Sequence, residues 1–234
     1  MWNGENELTM VLEKAGVSDP EEKAGKMMQY MELVLDRNQQ VNLTAIRTPE
    51  EFIRRHYEDS LEISGLPCFR EARQVLDLGT GGGFPGIPLA IAFPEKNYTL
   101  LDSLEKRIRI IREFCREIGI TNVEAIHGRA EDLGRQENLR EQFDLCVSRA
   151  VADMRVLSEY CLPFVRPGGW FVAYKSAGCQ DELKAAENAV SLLGGKLETL
   201  DTAGSSHLLV CIRKVTPTPD KYPRRAGTPS KKPL

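Results

Sequence analysis

The stretch Val75–Ala92 reads VLDLGTGGGFPGIPLAIA, an apolar run that ends in an acid, a glycine-dense turn and a second apolar run. This order predicts a buried strand, a tight loop and a short helix. Four glycines, at positions 79, 81, 82 and 83, leave the loop without Cβ atoms. Its backbone can therefore turn sharply and come within contact distance of a ligand, and we interpret the stretch as a nucleotide-binding loop.

Two kinds of nucleotide fit this loop. Gly81, Gly83 and Gly86 satisfy GxGxxG, which places a dinucleotide pyrophosphate at a helix N-terminus and is typical of oxidoreductases. Asp77, however, stands two residues before Gly79, where a carboxylate can pair with an ammonium group. An ammonium group and no phosphate are features of S-adenosylmethionine, which we predict as the cofactor, while the oxidoreductase remains an alternative.

The acid that ends the next apolar run supports the same interpretation. Asp102 follows the run from Tyr98 to Leu101, so it is predicted at the carboxyl end of the next strand. Ligands of open α/β sheets bind at that edge, and a carboxylate there can accept hydrogen bonds from both ribose hydroxyls. Capping of the following turns is the simpler role that Asp77 and Asp102 could have.

Short apolar runs alternate with helical segments over the rest of the chain, which predicts a parallel sheet covered on both faces. The last two runs are joined by a short loop, which permits antiparallel pairing but no parallel crossover. We predict an α/β fold of the Rossmann-like methyltransferase type, with a mostly parallel seven-stranded sheet whose last strand is antiparallel. The predicted strands are 75–78, 98–102, 123–127, 143–148, 170–175, 196–200 and 208–212.

The sequence before this sheet is predicted to be helical. Ser18–Glu22 starts one helix, with a proline in its first turn, and Thr48–Glu51 starts a second helix with capping-box spacing. Apolar residues spaced three and four apart give the first helix a core face, formed by Met27, Met28, Met31, Val34 and Leu35. Ser103 is predicted to cap a later helix that ends at Gly119. The predicted units are an N-terminal helical cap at 1–65, a methyltransferase domain at 66–214 and a basic extended tail at 215–234.

Composition excludes several classes of protein. No apolar run reaches the ~18 residues of a membrane span and no leader is recognised, so we expect a cytoplasmic protein. The six cysteines are scattered without a CxxC pair and there are three histidines, so no metal site is expected. Residues 213–234 hold seven Lys or Arg against one Asp in a chain of net charge −3. A basic tail on an acidic body favours a nucleic-acid partner.

Five motifs together resemble the bacterial small-subunit ribosomal RNA guanine-N7 methyltransferases, also called the glucose-inhibited division protein B family. They are Asn42-Leu43-Thr44, Arg55-His56-x-x-Asp59-Ser60-Leu61, Gly83-Phe84-Pro85-Gly86, Ser148-Arg149-Ala150 and Tyr222-Pro223-Arg224-Arg225-Ala226-Gly227-Thr228-Pro229. The resemblance covers nearly the whole chain. It implies a methyltransferase that acts at N7 of a guanosine in small-subunit ribosomal RNA, with the RNA or the ribosomal subunit as partner. It also implies cofactor contacts at Gly79, Phe84, Ala130, Glu131 and Arg149, with Asp102 at the ribose.

The residues agree with that chemistry. Methylation of an exocyclic amine usually goes with an Asn/Asp-Pro-Pro-aromatic motif after the fourth strand, where this chain has Ser148-Arg149-Ala150-Val151. Carbon methylation of a pyrimidine needs an attacking cysteine at the strand ends, and the Pro-Cys pair of this chain, Pro67-Cys68, lies before the first predicted strand. Guanine N7 carries a free lone pair, so no general base is expected and no catalytic residue is assigned.

A further set of residues is predicted to meet RNA. His56 is interpreted as a structural hydrogen-bonding residue rather than a base, although its segment is expected to shape the RNA side of the site. Tyr222 is predicted to stack on a base, and the basic residues to contact phosphates. The full set is Arg55, His56, Lys175, Tyr222, Arg224, Arg225, Lys231 and Lys232. A non-catalytic RNA-binding protein with the same fold is a second alternative.

Overall fold

The computed structural model describes residues 3–176, 178–199 and 207–234. Seven strands form one sheet in the order β3-β2-β1-β4-β5-β7-β6. Among the described strands, only β7 runs against its neighbours, pairing antiparallel with both β5 and β6. The strands are β1 Gln74–Leu78, β2 Asn97–Asp102, β3 Val123–His127, β4 Phe143–Arg149, β5 Val165–Ser176, β6 Gly195–Thr199 and β7 His207–Lys214.

The predicted fold class is therefore confirmed. The central parallel strands are apolar and buried, as in Leu76 and Leu145, which are fully buried, because helices cover both faces of the sheet. One strand begins earlier than its apolar run suggests. Val165 already pairs with Phe143, and a register shift follows before Leu145 pairs with Trp170. Leu200, the last residue of one predicted strand, lies outside the described residues.

Helices before the sheet pack on the same face as the glycine loop. The described helices and short turns here are α1 Gly4–Lys14, α2 Pro20–Arg37, α3 Pro49–Phe52, a π-helix Ile53–Glu58, α4 Asp59–Leu61, a 3-10 turn Glu62–Gly65 and α5 Pro67–Glu71. In α2, Met27, Tyr30, Met31 and Val34 are buried, while the predicted core residues Met28 and Leu35 are only partly buried. One apolar cluster runs from these helices into the sheet.

The remaining helices connect or flank the strands. They are α6 Gly86–Ala92, α7 Glu105–Ile118, α8 Ala130–Leu133, α9 Met154–Cys161, a 3-10 turn Leu162–Phe164, α10 Gln180–Leu192 and α11 Thr228–Lys231. Ser103 does not cap α7 as predicted, because Leu104 holds that position and its amide donates to the Asp102 carboxylate over 2.8 Å. Gly119 ends α7 as predicted, with φ of 74°. Among the described residues, none of the helices has the length and apolar character needed to cross a membrane.

The last twenty residues differ from the predicted extended tail. Arg140 donates hydrogen bonds to the carbonyls of Thr218 and Tyr222, over 2.6 and 2.9 Å. Tyr222 and Pro229 are buried against the body of the protein. The prediction counted prolines and charges, whereas burial of these two rings and the internal pairing of basic groups hold the segment down.

Candidate active site

A cleft of about 290 Å³ lies at the carboxyl ends of β1, β2 and β3. Of the predicted cofactor residues, Gly79, Asp102, Ala130 and Glu131 line it. They follow three neighbouring strands, so an elongated ligand laid across the strand ends would meet them in that order. The cleft thus brings together the predicted loop, ribose and adenine positions at the edge where open α/β sheets bind ligands.

The glycine loop owes part of its sequence to packing inside the protein. A Cβ on Gly83, which has φ of +93°, would collide with the Tyr30 hydroxyl, and one on Gly86 would lie 2.7 Å from the Asp77 carboxylate. The Tyr30 hydroxyl also donates to the Gly82 carbonyl over 2.7 Å. Gly81 and Gly83 do not line the cleft, so their predicted ligand contacts gain no support. At position 83 a glycine is needed because the Tyr30 hydroxyl occupies the space of a side chain.

Asp77 lies fully buried beneath the loop. One carboxylate oxygen, Oδ2, accepts hydrogen bonds from the Thr80 hydroxyl over 2.6 Å and the Gly86 amide over 2.8 Å. Its other oxygen, Oδ1, is buried without a hydrogen-bond partner among the described residues. Burial raises the pKa of Asp77 to about 6, although these two donors and Arg149 act in the opposite direction. Asp77 does not line the cleft, so its contact with a ligand remains a prediction, but a buried acceptor left over in this way suits an ammonium group.

Asp102 ties the loop to the end of β2. Its Oδ2 accepts from the Gly81 amide over 2.9 Å and its Oδ1 from the Leu104 amide over 2.8 Å, and Arg107 lies 3.4 Å from Oδ2. Oδ2 accepts from both Gly81 and Arg107, whereas Oδ1 accepts from Leu104 alone among the described residues, so Oδ1 keeps a lone pair for a hydroxyl donor. The position next to the cleft agrees with the predicted role at a ribose.

Glu131 lies at the far end of the cleft, at the start of α8. It is 3% exposed, and its Oε1 accepts a hydrogen bond from the Gly227 amide over 2.8 Å. The carboxylate is therefore held by a residue close to the C-terminus of the chain, 96 positions away.

Arg149, His56 and Phe84 form a second group beside the loop. A guanidinium nitrogen of Arg149 lies 2.8 Å from His56 Nδ1, and His56 Nε2 lies 2.7 Å from the Thr44 hydroxyl. The imidazole stacks on the Phe84 ring, with centroids 4.0 Å apart and an angle of 5° between the planes. Burial and the charges of Arg149 and Arg55 lower the pKa of His56 to about 3. Neither Phe84 nor Arg149 lines the cleft, so their predicted contact with the cofactor remains a prediction.

Two residues predicted on the RNA side, Arg55 and Lys175, make different contacts within the protein. Arg55 is exposed, and its carbonyl accepts from Arg149 over 3.0 Å. Lys175 is not free for RNA as the sequence suggested, because its ammonium group contacts Glu182 over 2.6 Å and the Ala152 carbonyl over 2.8 Å. A partly buried lysine in an ion pair holds the loop after β4 in place.

The C-terminal residues divide into two classes. Tyr222 is 6% exposed in the core, so it does not offer its ring to a base as predicted. The Arg224 guanidinium pairs with the fully buried Glu159 over 2.6 Å, so its charge is neutralised inside the protein. Arg225, Lys231 and Lys232 are exposed and keep their predicted role as phosphate contacts.

The sequence did not predict several other residues of the site. Tyr160 and Arg107 line the cleft, and so does Val151, whose side chain fills the space that a Cβ on Gly79 would need. Preceding it, Ala150 has φ of +55°, a left-handed conformation uncommon outside glycine. Tyr30 was not among the residues of the predicted apolar face of its helix, although it lies between Met27 and Met31 in the sequence.

Comparison with known proteins identifies the family to which the chain is similar. The family model described as rRNA small subunit methyltransferase G (GidB) matches residues 23–210. A ribosomal RNA small subunit methyltransferase G from Clostridium novyi is 45% identical, over 97% of this chain and 96% of its own length. The protein of that name from Alkaliphilus metalliredigens is 44% identical, over 89% of this chain and 90% of its own.

Solved structures share the fold at lower identity. An O-methyltransferase from Bacillus cereus, determined in complex with S-adenosylhomocysteine (SAH), has a TM-score of 0.55 at 22% identity and covers 81% of this chain and 91% of its own. A putative O-methyltransferase from Klebsiella pneumoniae has a TM-score of 0.54 at 17% identity, with 80% and 90% covered. At these identities the likeness concerns the fold alone.

Proposed function

Because the chain belongs to the rRNA small subunit methyltransferase G family, we propose that it transfers the methyl group of S-adenosylmethionine to N7 of a guanosine in small-subunit ribosomal RNA. The observation that carries the proposal is the cleft in which Gly79, Asp102 and Glu131 follow one another across three strand ends. This order suits the methionine, ribose and adenine parts of the cofactor.

Different residues along the cleft would bind different parts of the cofactor. Asp77 would offer its second, buried oxygen to the cofactor ammonium, and Asp102 would offer the free lone pair of Oδ1 to a ribose hydroxyl. Ala130 and Glu131 line the end of the cleft where the adenine would lie. When bound, the cofactor supplies a sulfonium methyl group that is already activated for transfer.

Methyl transfer to N7 needs alignment rather than proton removal. The N7 lone pair forms the new N–C bond, the C–S bond breaks, and its electron pair stays on sulfur, which becomes a neutral thioether. The positive charge moves onto the base. His56 is not required as a base, and with both ring nitrogens engaged by Arg149 and Thr44 it is not available as one. The contribution of the protein is therefore positioning and accommodation of charge.

Both alternatives raised by the sequence have less support. An oxidoreductase would place a pyrophosphate near Asp77, whose buried carboxylate would repel it when ionised. A non-catalytic RNA-binding protein has no need of a cleft with cofactor-binding groups at three strand ends. Relatives 42–45% identical to this chain also carry the methyltransferase name.

Labelled S-adenosylmethionine tests the proposal. The purified protein should transfer label to small-subunit ribosomal RNA, and 7-methylguanosine should be the product. Free RNA, an assembly intermediate and the complete subunit, assayed side by side, identify which form is the substrate. Transfer of label to a different atom would contradict the proposal.

Substitution of 7-deazaguanosine at the modified position tests the atom directly. The analogue has carbon where the nucleophile should be, but it keeps the exocyclic amine and the ring carbonyl. Single-turnover transfer at saturating enzyme should stop while RNA binding persists. Transfer at the normal rate would refute N7 as the acceptor.

A further inference from the structure

The C-terminal segment, residues 222–234, is attached to the body of the protein by an ion pair between the partly exposed Arg224 and a buried carboxylate. Glu159 is fully buried in α9, and the Arg224 guanidinium reaches both of its carboxylate oxygens, with Nε 2.9 Å from Oε1 and a terminal nitrogen 2.6 Å from Oε2. The Arg224 backbone amide also donates to Oε1 over 2.7 Å. A buried carboxylate left without this partner would be strongly destabilising, so the pair fixes where the segment lies.

Beyond that pair, the segment reaches the cleft. The Gly227 amide donates to Oε1 of Glu131, which lines the cleft and is almost fully buried. The short helix that follows Gly227, α11, packs against α9, which carries Tyr160, a second residue that lines the cleft. The segment thus holds one cleft residue, Glu131, by a hydrogen bond and packs against the helix that carries another.

A carboxylate buried beside a binding site needs donors to stay in place. The Gly227 amide is that donor for Glu131, and Gly227 presents it from a backbone with φ of +80°. If the segment moved, Glu131 would lose its hydrogen bond and could turn towards water. The end of the cleft opposite the glycine loop would then lose its shape.

We propose that the C-terminal segment is part of the cofactor site, with Arg224 and Gly227 acting as positioning residues for Glu131 at the adenosine end of the cleft. The inference rests on the proposed function, since it takes S-adenosylmethionine as the ligand. It gives the segment a role in cofactor binding in addition to the RNA contacts of its exposed lysines.

Calorimetric titration of Arg224→Met with SAH and with adenosine tests the proposal. Both ligands carry the adenosine part, so both affinities should fall by the same factor, roughly tenfold. Arg224→Lys keeps a charge beside Glu159 and should recover much of the loss. Arg225→Ala is the matched control, because it removes the neighbouring exposed arginine, and both affinities should stay within about twofold of wild type.

A folded Arg224→Met protein that binds both ligands as the wild type does would overturn the inference. If that variant fails to fold, Gly227→Ala takes its place. The added methyl group meets no atom within 4 Å, yet the left-handed backbone disfavours it, so only the position of the amide is disturbed. Unchanged affinities in Gly227→Ala would overturn the inference equally.

The same titrations separate this inference from the proposed function. Wild-type protein that binds neither SAH nor adenosine contradicts the proposed function itself. Wild-type protein that binds both, beside an unaffected Arg224 variant, contradicts only the role of the C-terminal segment.

Discussion

The Arg149 guanidinium donates a hydrogen bond to Nδ1 of His56 over 2.8 Å, and this contact fixes the form of the imidazole. A guanidinium can only donate, so Nδ1 accepts, the proton lies on Nε2, and Nε2–H donates to the Thr44 hydroxyl. His56 is therefore neutral and joins the loop around Thr44 to the end of β4. A charged imidazole would meet Arg149 as a like charge.

This arrangement predicts how stability changes with pH. The folded pKa of His56, about 3, is below its ordinary value of 6.5, so its contribution to stability is complete above pH 6.5 and declines as the pH falls towards 3. Between pH 6.5 and pH 5 the free energy of unfolding should drop by about 2 kcal/mol through this residue.

Chemical denaturation of wild type and His56→Gln at several pH values measures the effect. Asp77 has a raised pKa and so acts in the opposite direction, which is why the difference between the two proteins is the quantity to follow. That difference should shrink as the pH falls. Two curves that stay parallel from pH 7 to pH 5 would show that His56 takes up its proton in the folded protein.

Asp77 predicts a pH dependence of cofactor affinity. Its ionised form is the one that pairs with an ammonium group, and its pKa is about 6. The affinity for SAH should therefore fall about tenfold from pH 7 to pH 5, whereas adenosine, which lacks the ammonium group, should show no such change. Asp77→Asn should bind SAH more weakly and without this pH dependence. An identical pH profile in wild type and Asp77→Asn would place the ammonium group elsewhere.

Asp102→Ala should weaken SAH binding by about 10- to 100-fold, because it removes a charged acceptor for the ribose hydroxyls and the partner of the Gly81 amide. Calorimetry measures the affinity, and circular dichroism checks the fold. Asp132→Ala, which removes an exposed acid near the same edge of the sheet, is the control and should bind normally. Unchanged affinity in Asp102→Ala would mean that the ribose lies at another position.

The exposed C-terminal lysines should contribute to RNA binding through phosphate contacts. The double variant Lys231→Ala/Lys232→Ala should bind RNA more weakly, and the slope of log affinity against log salt concentration should decrease by about 1.5. Lys184→Ala/Lys196→Ala removes two exposed lysines elsewhere and should leave the slope unchanged. Equal slopes in all three proteins would leave these two lysines with a role in solubility alone.

The sheet and its binding edge could be predicted because their signals are local. Each strand is a short apolar run, and Asp77 and Asp102 stand where such runs end. Glycine spacing placed the loop correctly, but it did not distinguish a glycine needed by a ligand from Gly83, which is required by Tyr30. That distinction depends on a contact between residues more than fifty positions apart.

The C-terminal segment could not be predicted for the same reason. Proline and lysine content is typical of an extended chain, and nothing near Arg224 in the sequence identifies Glu159 as its partner. Tyr222 likewise has the residue type and charged neighbours of a residue that stacks on RNA, and only the structure shows that it is buried in the core. Charge counted along a chain does not reveal which charges are already paired within it.

The hydrogen bond from Tyr30 to the Gly82 carbonyl bears on protein engineering. A chimaera that joined the α/β layer of this protein to the N-terminal helices of a distant relative would have to carry Tyr30 with Gly82 and Gly83, because each is shaped to the other. Deleting the helices to obtain a smaller enzyme would remove the group that supports the glycine loop from behind. The N-terminal helices and the glycine loop therefore have to be exchanged together in a chimaera, or left intact.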